Sequence, residues 1–176
     1  PTITLSYAGT PFCTNTTNSR TPSLSGTGNY QGGTYTGNNG LIINATSGVI
    51  SNSNIAGNYT VTYSITPSAS CTPITQSVPV VITENPVPVI SYTAVDFCKS
   101  VNTEQLVNLS GSGDLTGGTF SAPSGLTLDS SSGAINPSSS TAGTYKVTYT
   151  IAAANGCGAA TAETTVNISE IPSAAI

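Results

Sequence analysis

The segment Ala56-Gly57-Asn58-Tyr59-Thr60-Val61-Thr62-Tyr63-Ser64-Ile65 decides the fold, because the chain writes it twice. It returns as Ala142-Gly143-Thr144-Tyr145-Lys146-Val147-Thr148-Tyr149-Thr150-Ile151. From Tyr59 the pattern has period 2. Tyr59, Val61, Tyr63 and Ile65 point one way, and Thr60, Thr62 and Ser64 point the other. β-Formers on both faces with one apolar side read as a long strand against a core. The Ala-Gly pair before each copy reads as a tight turn feeding the strand.

Working outward, the repetition covers nearly the whole chain. At an offset of 85, Ser6-Tyr7 falls on Ser91-Tyr92 and Phe12-Cys13 on Phe97-Cys98. Gly32-Gly33-Thr34-Tyr35 falls on Gly117-Gly118-Thr119-Phe120, and Ser47-Gly48-Val49-Ile50 on Ser132-Gly133-Ala134-Ile135. One inserted residue then makes the offset 86, matching Tyr59 to Tyr145, Tyr63 to Tyr149, Cys71 to Cys157 and Ile82 to Ile168. Ile82 to Pro86 recurs as Ile168 to Pro172, so the chain reads as two repeats of a longer tandem array. The expected domains are 1–84 and 85–176, with prolines 86 and 88 stiffening the joint.

Each repeat is expected to hold about seven short strands. In the first they are 3–7, 20–25, 33–36, 41–44, 48–51, 59–66 and 73–83. In the second they are 89–93, 105–110, 118–121, 126–129, 133–136, 144–152 and 161–168. Gly-, Asn- and Ser-rich turns separate them. The fold class is all-β, two tandem immunoglobulin-like β-sandwiches. Tyr59 and Tyr145 are expected to act as tyrosine-corner residues, buried, with the hydroxyl reaching back to the preceding loop.

Composition narrows the function. Ser and Thr number 54 of 176 residues, whereas Lys and Arg number 3 against 7 Asp and Glu, for a net charge of −4. Arg20, Lys99 and Lys146 are scattered, so neither nucleic acid nor an anionic membrane surface is an expected partner. Eight Tyr, three Phe and the alternating Val and Ile supply a core that a disordered Ser/Thr-rich stalk would lack. No apolar run approaches the roughly 20 residues of a membrane span.

The four cysteines occupy equivalent places. Repetition suggests Cys13 with Cys71 and Cys98 with Cys157, each bridge closing its own repeat. With no His and no CxxC pair, a zinc site is disfavoured. Disulfides point to an oxidising, extracellular setting.

No enzyme is expected. The absence of His removes Ser-His-Asp, Cys-His and His-metal catalysis. The candidate paired carboxylates Asp96, Glu104, Asp114 and Asp129 face Pro11, Ser19, Asn29 and Asn44 in the first repeat. Scattered surface acids are the plainer reading. No cofactor is expected; the one candidate is calcium at the joint, from Glu84, Asp96, Asn85 and Asn102, which form no DxDxD-like run. A Lys-Asn isopeptide crosslink at Lys99 or Lys146 has no counterpart in the first repeat, where Thr14 and Thr60 stand. Tyr30 with the loops 26–32 and 111–117 could hold a glycan, but Leu115 stands where Tyr30 does.

Gly-Gly-Thr-Tyr/Phe, Gly-Leu, Ser-Gly-x-Ile and Ala-Gly-x-Tyr-x-Val-x-Tyr, in that order in both repeats, resemble the immunoglobulin-like tandem repeats of very large Bacteroidetes cell-surface adhesins. SprB-like adhesins of gliding motility are among them. The resemblance implies an exported protein on the outer cell surface, whose repeats give reach and attachment. It implies as partners the neighbouring repeats of the same chain, surface polysaccharide or an abiotic substratum. It carries no catalytic residue. The alternative is a carbohydrate-binding accessory module of an extracellular enzyme.

Overall fold

The computed structural model describes residues 2–16, 20–52, 55–66 and 72–172, and contains strands but no helix among them. It divides into two compact units: Pro1–Asn85 with Ala154–Cys157, and Pro86–Ala153 with Gly158–Ile176.

In the first unit the strands are β1 (Thr2–Tyr7), β2 (Phe12–Cys13), β3 (Pro22–Thr27), β4 (Thr34–Gly37), β5 (Gly57–Ile65) and β6 (Ile74–Thr83). β1 pairs with β3 antiparallel, and β2, β6, β5 and β4 form a four-stranded sheet in that order. The alternation in β5 does what period 2 requires: Tyr59, Val61, Tyr63 and Ile65 are buried, and Thr60, Thr62 and Ser64 are less so. They meet Leu5, Tyr7, Tyr35, Leu41, Ile50, Val80 and Ile82 in one core. Burying each large apolar side chain contributes about 1.5–3 kcal/mol.

The second unit has β7 (Val87–Tyr92), β8 (Asp96–Cys98), β9 (Val107–Ser112), β10 (Thr119–Ser121), β11 (Gly143–Ile151) and β12 (Ala160–Ser169). β7 pairs with β9, and the larger sheet runs β10, β11, β12, β8. Registers repeat as well as elements: Tyr59 lies opposite Val80, and Tyr145 opposite Val166. The core holds Ile90, Tyr92, Phe97, Phe120, Ile135, Tyr145, Val147, Tyr149, Ile151, Val166 and Ile168.

Two features differ from the sequence expectation. The segments 41–44, 48–51, 126–129 and 133–136 are not strands. Each pair is reduced to single bridges, Ile43 to Ile50 and Leu128 to Ile135, with Arg20 and Gln105 bridging to the same isoleucines. The intervening residues are spent on turns. Asn44 Oδ1 accepts from the Thr46 and Ser47 amides, and Asp129 Oδ1 from those of Ser131 and Ser132. Conversely, β2 and β8 were not expected. They are two and three residues long and pair parallel with the far ends of β6 and β12, Cys13 opposite Thr83 and Cys98 opposite Ser169.

Candidate functional site

The repeated residues converge on a set of tyrosine tethers. Within each unit three phenols leave the core and bind backbone carbonyls in loops. Tyr7 donates to Gly48 O at 2.5 Å, and Tyr92 to Gly133 O at 2.6 Å. Tyr59 donates to Ile55 O at 2.7 Å, and Tyr145 to Thr141 O at 2.8 Å; these are the corner geometry, four residues upstream. Tyr63 donates to Tyr30 O at 2.8 Å, and Tyr149 to Leu115 O at 2.5 Å. The tethers explain the divergence at Tyr30 and Leu115: only the carbonyl is used, so the side chain is free to vary. The Tyr30 ring lies close to Gly26, where a Cβ would come 3.1 Å from its Cγ.

Burial sets the ionisation of the deepest phenols. Desolvation, with the neighbouring Tyr35, drives Tyr7 well above the ordinary tyrosine range. Desolvation pushes Tyr92 up to about 12.

The cysteine pairing departs from expectation. Cys13 is bonded to Cys157, 144 residues away, with Cα atoms 4.8 Å apart. Cys98 is a half-buried thiol. Cys71 lies outside the described residues. The expected pairs Cys13–Cys71 and Cys98–Cys157 are therefore not those of the structure, and strand geometry says why. Cys98 lies opposite Ser169 at the end of β12, whereas Cys157 precedes its start at Ala160. A ten-residue strand is about 30 Å long, and a disulfide tolerates a Cα separation of no more than about 7 Å. The β11–β12 hairpin instead places Cys157 in the first unit. Asn155 and Gly156 both have positive φ, 51° and 79°, and Ala154 bridges to Cys157, a two-residue hairpin tip. Gly156 is needed there: a Cβ would come within 2.7 Å of the Pro11 carbonyl carbon. Asn155-Gly156 is a turn signal in the sequence that the repeat comparison passed over. Ala69-Ser70 occupy its place before Cys71.

Arg20 fixes the other half of the bond. It is 1 % exposed, and its guanidinium donates to Cys13 O at 2.6 Å and Ser51 O at 3.1 Å while lying 5.4 Å from the Phe12 ring centroid. Nε has no hydrogen-bond partner, and desolvation lowers the pKa. A cavity of about 290 Å³ is lined by Phe12, Cys13, Thr16, Arg20 and Gly156. With its N–H groups on two carbonyls, Arg20 serves as a strut for β2.

The remaining candidates are dispersed. The Asp114 carboxylate is occupied by the Thr116 amide and hydroxyl. Asp129 is held well below the usual carboxylate range, first by the Ser132 amide and then by the Ser131 hydroxyl. Lys146 pairs with Glu163 at 2.9 Å and Lys99 with Glu170 at 3.3 Å, both on the surface. Asp96 opens β8, and Glu84 follows β6. Among the described residues no three of His, Cys, Asp or Glu gather where a metal ion could sit. No helix among them is long and apolar enough to cross a membrane.

A sandwich of this topology, with its tyrosine corner, is the immunoglobulin-like arrangement. The family model described as Putative Ig domain, He_PIG, matches residues 78–169, just over half of the chain. The chain belongs to that family. No curated protein matches it. Among solved structures, this Ig-domain chain is similar to a SusE-like surface located polysaccharide binding protein of Bacteroides thetaiotaomicron. The identity is 17 %, over 84 % of this chain and 31 % of that one, with a TM-score of 0.34. Drosophila N-cadherin EC1-4 aligns at 12 % identity over 90 % and 46 %, with a TM-score of 0.41. The insect immune protein hemolin aligns at 15 % over 96 % and 43 %, with a TM-score of 0.40. The chain spans less than half the length of each, and likeness at this level concerns the fold.

Proposed function

We propose that the chain is a pair of non-catalytic stalk repeats of a large bacterial cell-surface adhesin, giving reach and surface attachment outside the cell, in the manner of gliding-motility adhesins. The observation that carries this reading is the duplicated architecture. The same three tyrosine tethers bind carbonyls at equivalent positions of both repeats. What recurs is thus the machinery that stiffens a unit, while candidate ligand-contacting side chains such as Tyr30 differ between copies. The acids at Asp114 and Asp129 are engaged in their own turns, which suits a scaffold better than a site of chemistry.

The test is length. Chains of two, four and six repeats, imaged by electron microscopy or measured by solution scattering, should grow in contour by a constant increment per added pair. A maximum dimension that stays flat as repeats are added would overturn the spacer role. Saturable binding of the two-repeat chain to a polysaccharide on a glycan array would favour the accessory-module alternative.

A further inference from the structure

Cys98 occupies the place in the second repeat that Cys13 occupies in the first. Cys13 lies opposite Thr83 on β6, and Cys98 opposite Ser169 on β12, one repeat apart in register. The next amide makes the same bond in each: Thr14 N donates to Thr83 O at 2.9 Å, and Lys99 N to Ser169 O at 3.0 Å. Phe12 and Phe97 precede them. The backbone that presents the sulfur is therefore duplicated, but one sulfur is bonded and the other is a thiol. Hydrogen bonds from Ser100 hold the Cys98 thiol below its ordinary range, which favours the reactive thiolate.

We infer that Cys98 is a disulfide site for a further copy of the repeat, accepting the cysteine at the position of Cys157 in the repeat that follows. The rule read from the observed bond is that the cysteine ending the second strand of one repeat pairs with the last-hairpin cysteine of the next. This inference rests on the tandem-array reading of function. The partner's chemistry is specified too. A Cys157-like residue reaches its partner because Asn155-Gly156 turns tightly and Gly156 lacks a Cβ where Pro11 lies. The residue before the incoming cysteine is therefore glycine. A small-molecule disulfide is the oxidant. The Cys98 thiolate displaces one thiolate from it to form a mixed disulfide, and the incoming cysteine thiolate displaces the second. One protein S–S bond forms and one small disulfide is reduced to two thiols.

The experiment uses a three-repeat chain, residues 1–171 followed by residues 86–176, which keeps Pro86 in the place of Pro172. The added copy carries Cys98→Ser, so that one Cys98 remains, and the exposed Ala159→Ser as a mass tag. After oxidation with oxidised glutathione and digestion without reduction, mass spectrometry should find Cys98 joined to the tagged Cys157 peptide and Cys13 joined to the untagged one. Placing Gly156→Val in the added copy should cut the Cys98 link at least tenfold. Cys98 recovered mainly as an alkylated thiol, or bonded to Cys71 or to the untagged Cys157, would overturn the inference. The contour length of the same chain separates the two readings. Normal growth with a free Cys98 would sink the staple and leave the spacer, and a formed bond without growth would do the reverse.

Discussion

The Tyr63 hydroxyl and the Gly33 backbone hold each other: the amide donates to the hydroxyl at 2.8 Å, and a Cβ on Gly33 would lie 2.6 Å from ring carbon Cζ. Tyr149 and Gly118 repeat the arrangement, with the amide at 3.1 Å. The hydroxyl thus accepts from one loop position and donates to another, closing the loop onto β5 in one unit and β11 in the other. Alanine at either glycine must displace a buried ring. Gly118→Ala is expected to cost about 1–3 kcal/mol, seen as a lowered melting temperature in calorimetry. Tyr149→Phe strands the Leu115 carbonyl and should cost about 1–2 kcal/mol.

Alkaline pH should destabilise the cores. Tyr92 ionises at about 12 in the folded chain against an ordinary 10, so its folded value is raised. The stability it confers is fully present below pH 10 and is lost as pH climbs through 12. Across that window the loss reaches about 3 kcal/mol. Tyr7 shifts in the same direction. Denaturant midpoints measured from pH 8 to 12 should fall above pH 10, and Tyr92→Phe should flatten part of the fall.

Asp129 offers the converse at low pH. Its folded value is depressed by the Ser131 and Ser132 bonds, so its contribution is present above the usual carboxylate range and is lost as pH falls below it. The first repeat makes the same turn with Asn44, an acceptor that does not titrate near that range. Denaturant midpoints at neutral and at acid pH should differ less for Asp129→Asn, which keeps an acceptor for the turn but carries no titrating charge. Asp129→Ala should lower stability at both pH values.

Arg20→Leu removes both donors from the Cys13 and Ser51 carbonyls. It should destabilise the first unit by about 1–3 kcal/mol. Hydrogen exchange at Thr14, whose amide bonds Thr83 O, should rise in the variant if Arg20 is the strut for β2.

The long strands and both cores were legible because Tyr59 to Ile65 and Tyr145 to Ile151 alternate strictly over enough residues to leave no other reading. The tethers were partly legible. Tyr59 and Tyr145 follow an Ala-Gly turn that marks a corner, whereas the carbonyl partners of Tyr7 and Tyr63 lie 41 and 33 residues away with no side-chain signature. The cysteine pairing was misread through β2 and β8. Strands of two or three residues carry no periodicity, and their parallel pairing with the ends of β6 and β12 puts Cys98 out of reach of Cys157. Repetition showed which cysteines are equivalent, but equivalence does not say whether a bond stays within its repeat.

The pairing of Cys13 with Cys157 joins these observations, and peptide mapping of the 176-residue chain tests it directly. Because Lys and Arg are so few, the alkylated, unreduced protein is best cleaved with chymotrypsin before mass spectrometry. The expected result is a Cys13–Cys157 disulfide and an alkylated Cys98. Recovery of Cys13–Cys71 together with Cys98–Cys157 would contradict it.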